Sequence, residues 1–302
     1  MVPIAESLGG TILQSASGEL LNYADIPLDA DLSNLSMEEI LEVAGGHVRH
    51  CGAFNAVCEE ANIYQMWSEE YVRGLGDYLL ERSSESDGDT IVLDVGAGDG
   101  LLIHFLREYV DVQKTRQEKR QRKTKSKGRQ GTSLRMPTLI ATDDGSWGIF
   151  AKAKVQKLSM VDSIAKYKPQ ITDDGSPSQQ LIVLCSWMPM GEDWSALFRE
   201  NGIDEYILIG EADDGTCGNN WETWGNPDFR PTDDEVAPND ASQSGNRHSL
   251  HSDSTADNIL PPYAVDGYER WDMDALSSYQ FSRFDCAVSC SSTTVSFRKV
   301  DR

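Results

Sequence analysis

The sequence predicts an α/β fold with a doubly wound, mostly parallel sheet, and three observations lead to this prediction. An apolar, β-branched run at 91–95 is followed by a glycine-rich turn and then by the amphipathic pattern of a helix at 101–109, which is the arrangement of a nucleotide-binding corner. Further apolar runs alternate with helical patterns towards the C-terminus. Two stretches, 111–136 and 232–258, contain few aliphatic residues, and we expect both to be disordered insertions.

The N-terminal part of the chain predicts helices rather than strands. Residues 1–35 show no strong periodicity and form an uncertain leader. Ser36 and Glu39 have the spacing of a capping box that opens a first helix, in which each side chain bonds the other residue's backbone N–H. One or two further helices are expected over 47–80, with an apolar stripe made of Ile63, Met66, Trp67, Tyr71, Leu75 and Tyr78. Residues 36–82 are therefore predicted to form N-terminal helices.

The spacing between the glycine turn and a later acid indicates that the first insertion interrupts a single unit. Nucleotide-binding folds place an acid roughly 20 residues beyond the turn, where it binds ribose hydroxyls. A second strand is predicted at 138–142, and Asp143 follows it, 43 residues after Gly100. Without the 26 residues of the insertion 111–136, this separation falls to 17 residues. The insertion therefore does not separate two domains.

The rest of the chain continues the α/β alternation and ends in two antiparallel strands. Residues 280–289 and 292–299 alternate between apolar and polar side chains and are joined by Cys290 and Ser291, a pattern that predicts a C-terminal antiparallel hairpin. Before them, the periodicity predicts strands at 153–158, 180–185 and 205–209, and helices at 160–167 and 193–201.

The pattern D-x-G-x-G-x-G, which begins at Asp94 and ends at Gly100, resembles the first motif of class I S-adenosylmethionine-dependent methyltransferases. The dinucleotide fingerprint G-x-G-x-x-G would need its third glycine where this chain has Leu101. The resemblance implies a seven-stranded sheet and a methyltransferase domain over 83–302. It also implies that the helices of 36–82 form part of a cover over the substrate.

The resemblance implies a binding site for S-adenosylmethionine at the carboxyl ends of the strands, where open α/β sheets bind ligands. In that family the glycines admit the methionine moiety, and the leading acid helps organise the amino group of the cofactor. Of the two adjacent acids, Asp143 is expected to accept hydrogen bonds from the ribose hydroxyls; Asp144 is the alternative for this role, unless it caps the following helix instead. Trp147 packs either on the adenine face or in the core. The implied cofactor-binding residues are Asp94, Gly96, Gly98, Gly100, Asp143, Trp147 and Ser186.

A loop after the strand at 180–185 is expected to contact the substrate. Amine- and amide-directed relatives often carry Asn-Pro-Pro-Tyr there, but this chain has Ser-Trp-Met-Pro at 186–189. This departure means that those particular substrates are not implied. Trp187 is expected to form a rigid apolar wall on which a planar or cationic group of the substrate can stack.

The loop 210–225 combines four acids with Trp221 and Trp224 directly after a predicted strand. Tryptophan rings are costly to expose, so these two are expected to cover something. One interpretation is a substrate wall that favours an amine or another cation, and the alternative is a lid that packs over the sheet. If the loop faces the substrate, Glu211 or Asp213 is the candidate general base.

The charge of the chain is unevenly distributed. The net charge is −22, yet the segment from Lys114 to Arg135 contains ten basic residues and one acid, so the rest of the chain carries −31. Such an acidic surface repels phosphate backbones, and nucleic acid is therefore not the expected substrate. The basic run 114–129 is interpreted either as a nuclear-localisation or nucleic-acid patch or as a solvated insertion.

The composition favours a cytoplasmic protein without a membrane span or a metal site. The longest apolar run, 181–190, is too short to cross a bilayer, and the N-terminus lacks the basic start and apolar core of a secretory signal. The six cysteines form no C-x-x-C pair, and Cys185 is expected to be a buried free thiol, which indicates a reducing compartment. No cluster of histidine, cysteine and acidic residues has the spacing of metal ligands.

The sequence thus predicts a methyltransferase that transfers the methyl group of S-adenosylmethionine to a small molecule or to a protein side chain. Two alternatives from other functional classes stay open. One is a non-catalytic scaffold that binds S-adenosylmethionine, and the other is an NAD(P)-dependent oxidoreductase. An RNA methyltransferase that uses the basic run is a variant of the main prediction.

Overall fold

The computed structural model describes residues 13–14, 20–21, 36, 63–125, 135–170, 172, 178–213, 215–231, 259–285 and 291–300. The predicted insertion 232–258, nearly all of the predicted leader and the helices predicted before residue 63 lie outside these residues. The strands are β1 (Leu13–Gln14), β2 (Leu20–Leu21), β3 (Gln65–Trp67), β4 (Asp89–Val95), β5 (Thr138–Asp143), β6 (Gln156–Lys157), β7 (Gln179–Ser186), β8 (Glu205–Glu211), β9 (Tyr268–Asp272), β10 (Gln280–Ser282) and β11 (Ser292–Lys299). The helices are α1 (Glu69–Glu85), α2 (Leu101–Lys125), α3 (Met160–Tyr167), α4 (Ser195–Glu200), α5 (Pro262–Val265) and α6 (Asp274–Ser277).

Seven strands form one mixed sheet in the order β6-β5-β4-β7-β8-β11-β9. The first five strands are parallel to one another, and β11 runs antiparallel to both of its neighbours, β8 and β9. The strand order reverses at β4, because β5 and β6 lie on one side of it and β7 and β8 on the other. The α/β fold class and the mostly parallel seven-stranded sheet with antiparallel C-terminal strands are confirmed.

Helices cover both faces of the sheet. Successive residues of a strand point to opposite faces, so Val92 joins the apolar core under α1 and α2, whereas Leu93 joins the core under α3 and α4. Strands that are buried on both faces are apolar throughout, which explains why β4, β7 and β8 are visible as continuous apolar runs. Cys185, near the end of β7, is a buried free thiol, as predicted. In the described part of the chain, no helix combines the length and the hydropathy that crossing a bilayer requires.

Helix α2 is longer than the sequence analysis predicts. It continues to Lys125, through the first part of the segment 111–136 that is expected to be disordered. That expectation is wrong for 111–125, while residues 126–134 lie outside the described residues. The segment lacks the aliphatic residues that a core requires, but its lysines, arginines and glutamines have high intrinsic helix propensity. A helix nucleated by the packed part of α2 therefore propagates into it.

The short sheet formed by β3 and β10 replaces part of a predicted helix. Met66 and Trp67, expected on a helical stripe, lie in β3. Helix α1 begins only after them, because Ser68 is its N-cap and its hydroxyl accepts a hydrogen bond from the Tyr71 backbone N–H at 3.2 Å. The prediction of helix is wrong here because two adjacent apolar residues, Met66 and Trp67, fit a short buried strand as well as a helical stripe.

The C-terminal strands pair differently from the predicted hairpin. In the described residues, β10 pairs with β3, and β11 lies between β8 and β9 rather than beside the segment 280–289. Residues 286–290 lie outside the described chain. Alternation of apolar and polar residues identifies a strand but not its partner, which is why the sequence predicted two neighbouring strands to pair with each other.

A buried carboxylate links α1 to the sheet at the strand ends opposite the glycine turn. Glu205, at the start of β8, is buried and accepts hydrogen bonds from Arg82 Nε at 2.7 Å, from Ser296 Oγ at 2.5 Å and from the hydroxyl of Tyr78. Burial and the neighbouring Glu205 carboxylate raise the pKa of Tyr78 to about 12, so its hydroxyl stays protonated and donates. The carboxylate thereby links α1, β8 and β11.

We expect Glu205→Gln to lower the free energy of unfolding by about 2–3 kcal/mol, because it leaves the Arg82 guanidinium without its buried counter-charge. The matched control is Glu85→Gln, which removes the exposed carboxylate that pairs with the same arginine and should cost less than about 1 kcal/mol. Urea denaturation of both variants measures the difference. Equal losses for Glu205→Gln and Glu85→Gln would contradict this account of the network.

Candidate functional site

A cavity of about 520 Å³ opens at the carboxyl ends of β4, β5 and β7. This is the place where the strand order reverses and where open α/β sheets bind ligands. The wall is formed by the turn after β4, the loop after β5, the N-terminal end of α3, the loop after β7 and the segment 63–67. Of the residues predicted to bind cofactor or substrate, the structure brings seven to this cavity: Asp94, Gly96, Gly98, Asp143, Trp147, Ser186 and Trp187.

The turn after β4 requires glycine at each of its three alternate positions. Gly96, Gly98 and Gly100 have φ angles of 66°, 54° and 78°, in the left-handed region that other residues rarely adopt. Gly96 and Gly98 line the cavity, but Gly100 does not. A Cβ at Gly100 would lie 2.5 Å from Val155 Cγ2, so this glycine permits packing of the turn against the neighbouring loop rather than against a ligand.

Asp143 joins the glycine turn to the loop that follows β5. One carboxylate oxygen accepts the Gly98 backbone N–H at 2.9 Å, and the other accepts the Gly145 N–H at 2.7 Å. Each oxygen keeps a second lone pair, so the carboxylate can still accept hydrogen bonds from a ligand in the cavity. Asp144 is exposed and accepts from the Ser146 N–H at 2.8 Å, which stabilises a turn and not the helix that was predicted to follow.

Trp147 stands at the mouth of the cavity. Its side chain is 63% exposed, so the alternative that it packs in the core is wrong. Met190 and Val161 also line the mouth and are 76% and 56% exposed. Large apolar side chains that gather around a cavity while they remain exposed are typical of a surface that binds something.

Asp94 is the most unusual group in the cavity wall. It is 1% exposed, and among the described residues no hydrogen-bond donor reaches its Oδ1. Burial raises the pKa of Asp94 well above its usual value, and the neighbouring carboxylates of Asp99 and Asp143 raise it further. A buried acceptor without a partner costs stability. This oxygen is therefore suited to receive a donor or a cation from a ligand.

Asp99 forms the next part of the wall and is better compensated. Burial raises its pKa, but the backbone N–H of Leu101 and the ammonium group of Lys152 oppose this rise. Leu101 donates to Asp99 Oδ1 at 3.1 Å, and Lys152 Nζ lies 3.8 Å from Oδ2. Lys152 was not identified from the sequence because it belongs to an irregular loop with no motif.

Trp187 is held rigidly in an uncommon backbone conformation. Its φ is 57°, a strained value for a bulky residue that persists only where the surroundings enforce it. Its backbone N–H donates to the Ile209 carbonyl at 2.8 Å, and its indole N–H donates to Gln65 Oε1 at 3.2 Å. Gln65 is itself fixed, because its Nε2 donates to the Phe281 carbonyl at 3.0 Å. The strained tryptophan therefore faces the cavity in one orientation.

Two further aromatic rings extend the wall on either side of Trp187. The ring centroids of Tyr64 and Phe284 lie 5.9 Å and 5.2 Å from that of Trp187, and the Arg283 guanidinium stacks on both rings. Sequence reasoning missed Tyr64, Gln65 and Phe284. Only the pairing of β3 with β10 brings them together, and this pairing joins segments about two hundred residues apart in the chain.

The loop after β8 does not bring its predicted residues to the cavity. Trp224 is buried and donates its indole N–H to the Cys217 carbonyl at 2.6 Å, and Trp221 is buried beside it. Asp213 forms a two-point ion pair with Arg270, at 2.6 Å and 2.9 Å. Glu211 accepts from Thr216 and from the hydroxyl of Ser291. These contacts favour the alternative of a lid that packs over the sheet.

Comparison with known proteins adds no further assignment, because neither a protein-family model nor a curated protein matches this sequence. Within the described residues, no group of three or more histidine, cysteine or acidic side chains has the geometry of a metal site. The chemistry of the cavity therefore has to follow from its own residues.

The raised pKa of Asp94 leads to a prediction about stability. Because folding favours the protonated carboxyl, the stability of the ligand-free protein falls as the pH rises from the ordinary carboxyl range through the raised pKa. Asp94→Asn removes the buried charge, so we expect it to stabilise the ligand-free protein by about 1–3 kcal/mol at about pH 8, and by less at about pH 5. Thermal unfolding at the two pH values measures both effects.

The matched control is Asp89→Asn, because Asp89 is an exposed acid on the same strand. Its substitution should change the stability by no more than about 0.5 kcal/mol at either pH. An Asp94→Asn variant that is less stable than the parent protein at both pH values would show that the carboxylate has a partner in the folded state.

Proposed function

We propose that this protein is an S-adenosylmethionine-dependent methyltransferase that acts on a small molecule or on a protein side chain. The observation that carries the proposal is the buried Oδ1 of Asp94, to which none of the described residues donates a hydrogen bond, beside the left-handed glycine turn. Support also comes from the seven-stranded sheet with antiparallel C-terminal strands, which the resemblance of the motif implied.

The charge of the cavity favours this cofactor over a nicotinamide dinucleotide. Its charged lining residues are four acids and one lysine: Asp94, Asp99, Asp143, Asp144 and Lys152. A pyrophosphate would bring its negative charges among these carboxylates, whereas phosphate sites offer backbone N–H groups and cations. S-adenosylmethionine carries a positive sulfonium, a positive ammonium group and a single carboxylate, so its net charge is positive. The acidic wall therefore complements this cofactor and opposes NAD(P).

The residues present fit the parts of the cofactor. Asp94 Oδ1 is placed to accept from the ammonium group of the methionine moiety, and Gly96 and Gly98 leave room for that moiety against the backbone. Asp143, whose oxygens each have a free lone pair, is suited to the ribose hydroxyls. Trp147 offers a ring face at the cavity mouth on which the adenine can stack. When bound, S-adenosylmethionine supplies an electrophilic methyl group to a nucleophile of the substrate.

The aromatic wall formed by Tyr64, Trp187 and Phe284 is the proposed site of the methyl acceptor. A wall whose central ring is locked by Gln65 and by a backbone hydrogen bond can hold a planar or apolar group in one orientation. Such positioning, rather than acid–base chemistry, supplies most of the rate acceleration in this proposal. Glu211 and Asp213 have other partners and lie outside the cavity wall, so we assign them no proton transfer.

The exposed rim of the cavity is suited to both proposed kinds of methyl acceptor, a small molecule and a protein side chain. Val161 and Met190 lie where a bound molecule would leave the cavity. A small molecule that extends past the mouth, or a side chain presented by another protein, would cover these apolar groups. The net charge of −31 outside the basic segment 114–135 disfavours a nucleic acid at this mouth.

Calorimetric titration tests the choice of cofactor. We expect the parent protein to bind S-adenosylmethionine and S-adenosylhomocysteine, and not to bind NAD or NADP. Asp143→Asn should weaken both complexes by about 10- to 100-fold, because hydrogen bonds from the ribose to a charged acceptor are lost.

The matched control is Asp144→Asn, which removes the neighbouring exposed charge and should change the affinity by less than about threefold. Tighter binding of a nicotinamide dinucleotide than of S-adenosylhomocysteine would favour the oxidoreductase alternative. Equal losses in the Asp143 and Asp144 variants would contradict the role assigned to Asp143.

A further inference from the structure

The second half of α2 is a strongly basic helix on an acidic protein. Between Asp111 and Lys125 the helix contains seven lysines and arginines and two acids. No residue from Asp111 to Arg122 is buried, which distinguishes this half from the first half of α2, where Leu102, Leu106 and Val110 belong to the core. We call the segment 111–125 the basic helix.

The basic helix continues beyond the part of α2 that packs on the sheet. Among the residues whose burial is described, Val110 is the last buried residue of α2, and Arg122 lies about 18 Å further along the helix axis at 1.5 Å per residue. The Debye length at physiological ionic strength is about 8 Å. Charges on the outer turns of the basic helix therefore interact only weakly with charges beside the packed half of α2.

The arrangement of the basic side chains fits a phosphate backbone. Lys114, Arg116, Lys119, Arg120 and Arg122 are all exposed, and at 100° per residue they are spread over about two thirds of the helix circumference. A helix with cations on most of its sides can contact phosphates on both strands that border a groove, as well as the backbone of a single strand.

The scarcity of apolar side chains argues against two other kinds of partner. The basic helix has one aliphatic residue, Val112, and from Gln113 to Lys125 the sequence contains no aliphatic or aromatic residue. An amphipathic helix that lies on a membrane needs an apolar face, and a helix that docks in a protein groove needs apolar anchors. Electrostatic attraction to a regular polyanion requires only the charges that are present.

We propose that the basic helix is a nucleic-acid-binding surface that contacts the phosphate backbone. The acidic body would repel a nucleic acid everywhere else and so direct it to this helix. Its first cation, Lys114, lies about 18 Å along the helix axis from Leu102 in the cavity wall. The proposal does not depend on the methyltransferase function: the helix can recruit the protein to RNA or DNA whatever reaction the cavity performs.

Fluorescence anisotropy with the full chain tests the proposal. The probes are a labelled single-stranded RNA, a duplex RNA and a duplex DNA of equal length, titrated at several salt concentrations. We expect binding to at least one of them at about 50 mM salt, with an affinity that falls steeply as the salt concentration rises. The variant K114Q/R116Q/K119Q/R122Q should bind at least tenfold more weakly at the same salt concentration, with a salt slope reduced by about three to four units. Glutamine keeps the helix propensity, and circular dichroism verifies the fold.

The matched control removes four exposed basic charges elsewhere, in the variant R73Q/K157Q/K166Q/K168Q. It should retain the affinity of the parent protein within about threefold. The proposal is overturned if no nucleic acid binds at low salt, if the control variant loses as much affinity as the helix variant, or if anionic vesicles or poly-glutamate bind as tightly as the nucleic acids. Calorimetry with S-adenosylhomocysteine on the helix variant, which should be unchanged, separates this test from that of the cavity.

Discussion

The candidate site depends on one electrostatic constraint: the carboxyl group of Asp94 is buried near the end of β4, and no described residue donates a hydrogen bond to its Oδ1. Burial and two neighbouring acids raise its pKa, so the folded chain keeps a group that would be more stable without its charge. A sheet whose strand order reverses at β4 opens a cavity beside this group. The glycine turn and the Asp94 carboxyl group line the same cavity. In the proposed function, a cationic group of the cofactor would offset the cost of this buried acid.

The rest of the fold keeps this arrangement rigid. Asp143 ties the glycine turn to the loop after β5, and the strained backbone of Trp187 is enforced by β8 and by Gln65 in β3. At the opposite end of the sheet, Glu205 fastens α1 to β8 and β11. The free energy gained by packing the sheet therefore offsets two unfavourable local features, the buried carboxyl group of Asp94 and the left-handed backbone conformation of Trp187. Both of them face the cavity, and unfavourable features of this kind concentrate at functional sites.

The sequence predicts those parts of the site that depend on local patterns. The strand before Asp94, the glycine turn and the spacing to Asp143 are local, because each is a short run with a distinct periodicity or residue type. The aromatic wall is not local, since Tyr64 and Phe284 meet through a pairing of two three-residue strands that no periodicity reveals. Trp221 and Trp224 are residues that the sequence does single out. Their residue type indicates that they cover something, but only the packing of the loop determines what they cover. Likewise, the basic helix looked unstructured because it has no core residues, although helix propensity does not require a core.

Methyl transfer from labelled S-adenosylmethionine tests the central claim most directly. The parent protein is incubated with the methyl-labelled cofactor and a fractionated cell extract, and Asp143→Asn serves as the impaired variant. The account predicts label in a small-molecule or protein fraction, and much less label with the variant. Binding of the cofactor without label in any fraction would contradict it and favour a non-catalytic scaffold. Label confined to the RNA fraction would contradict the proposed acceptor class.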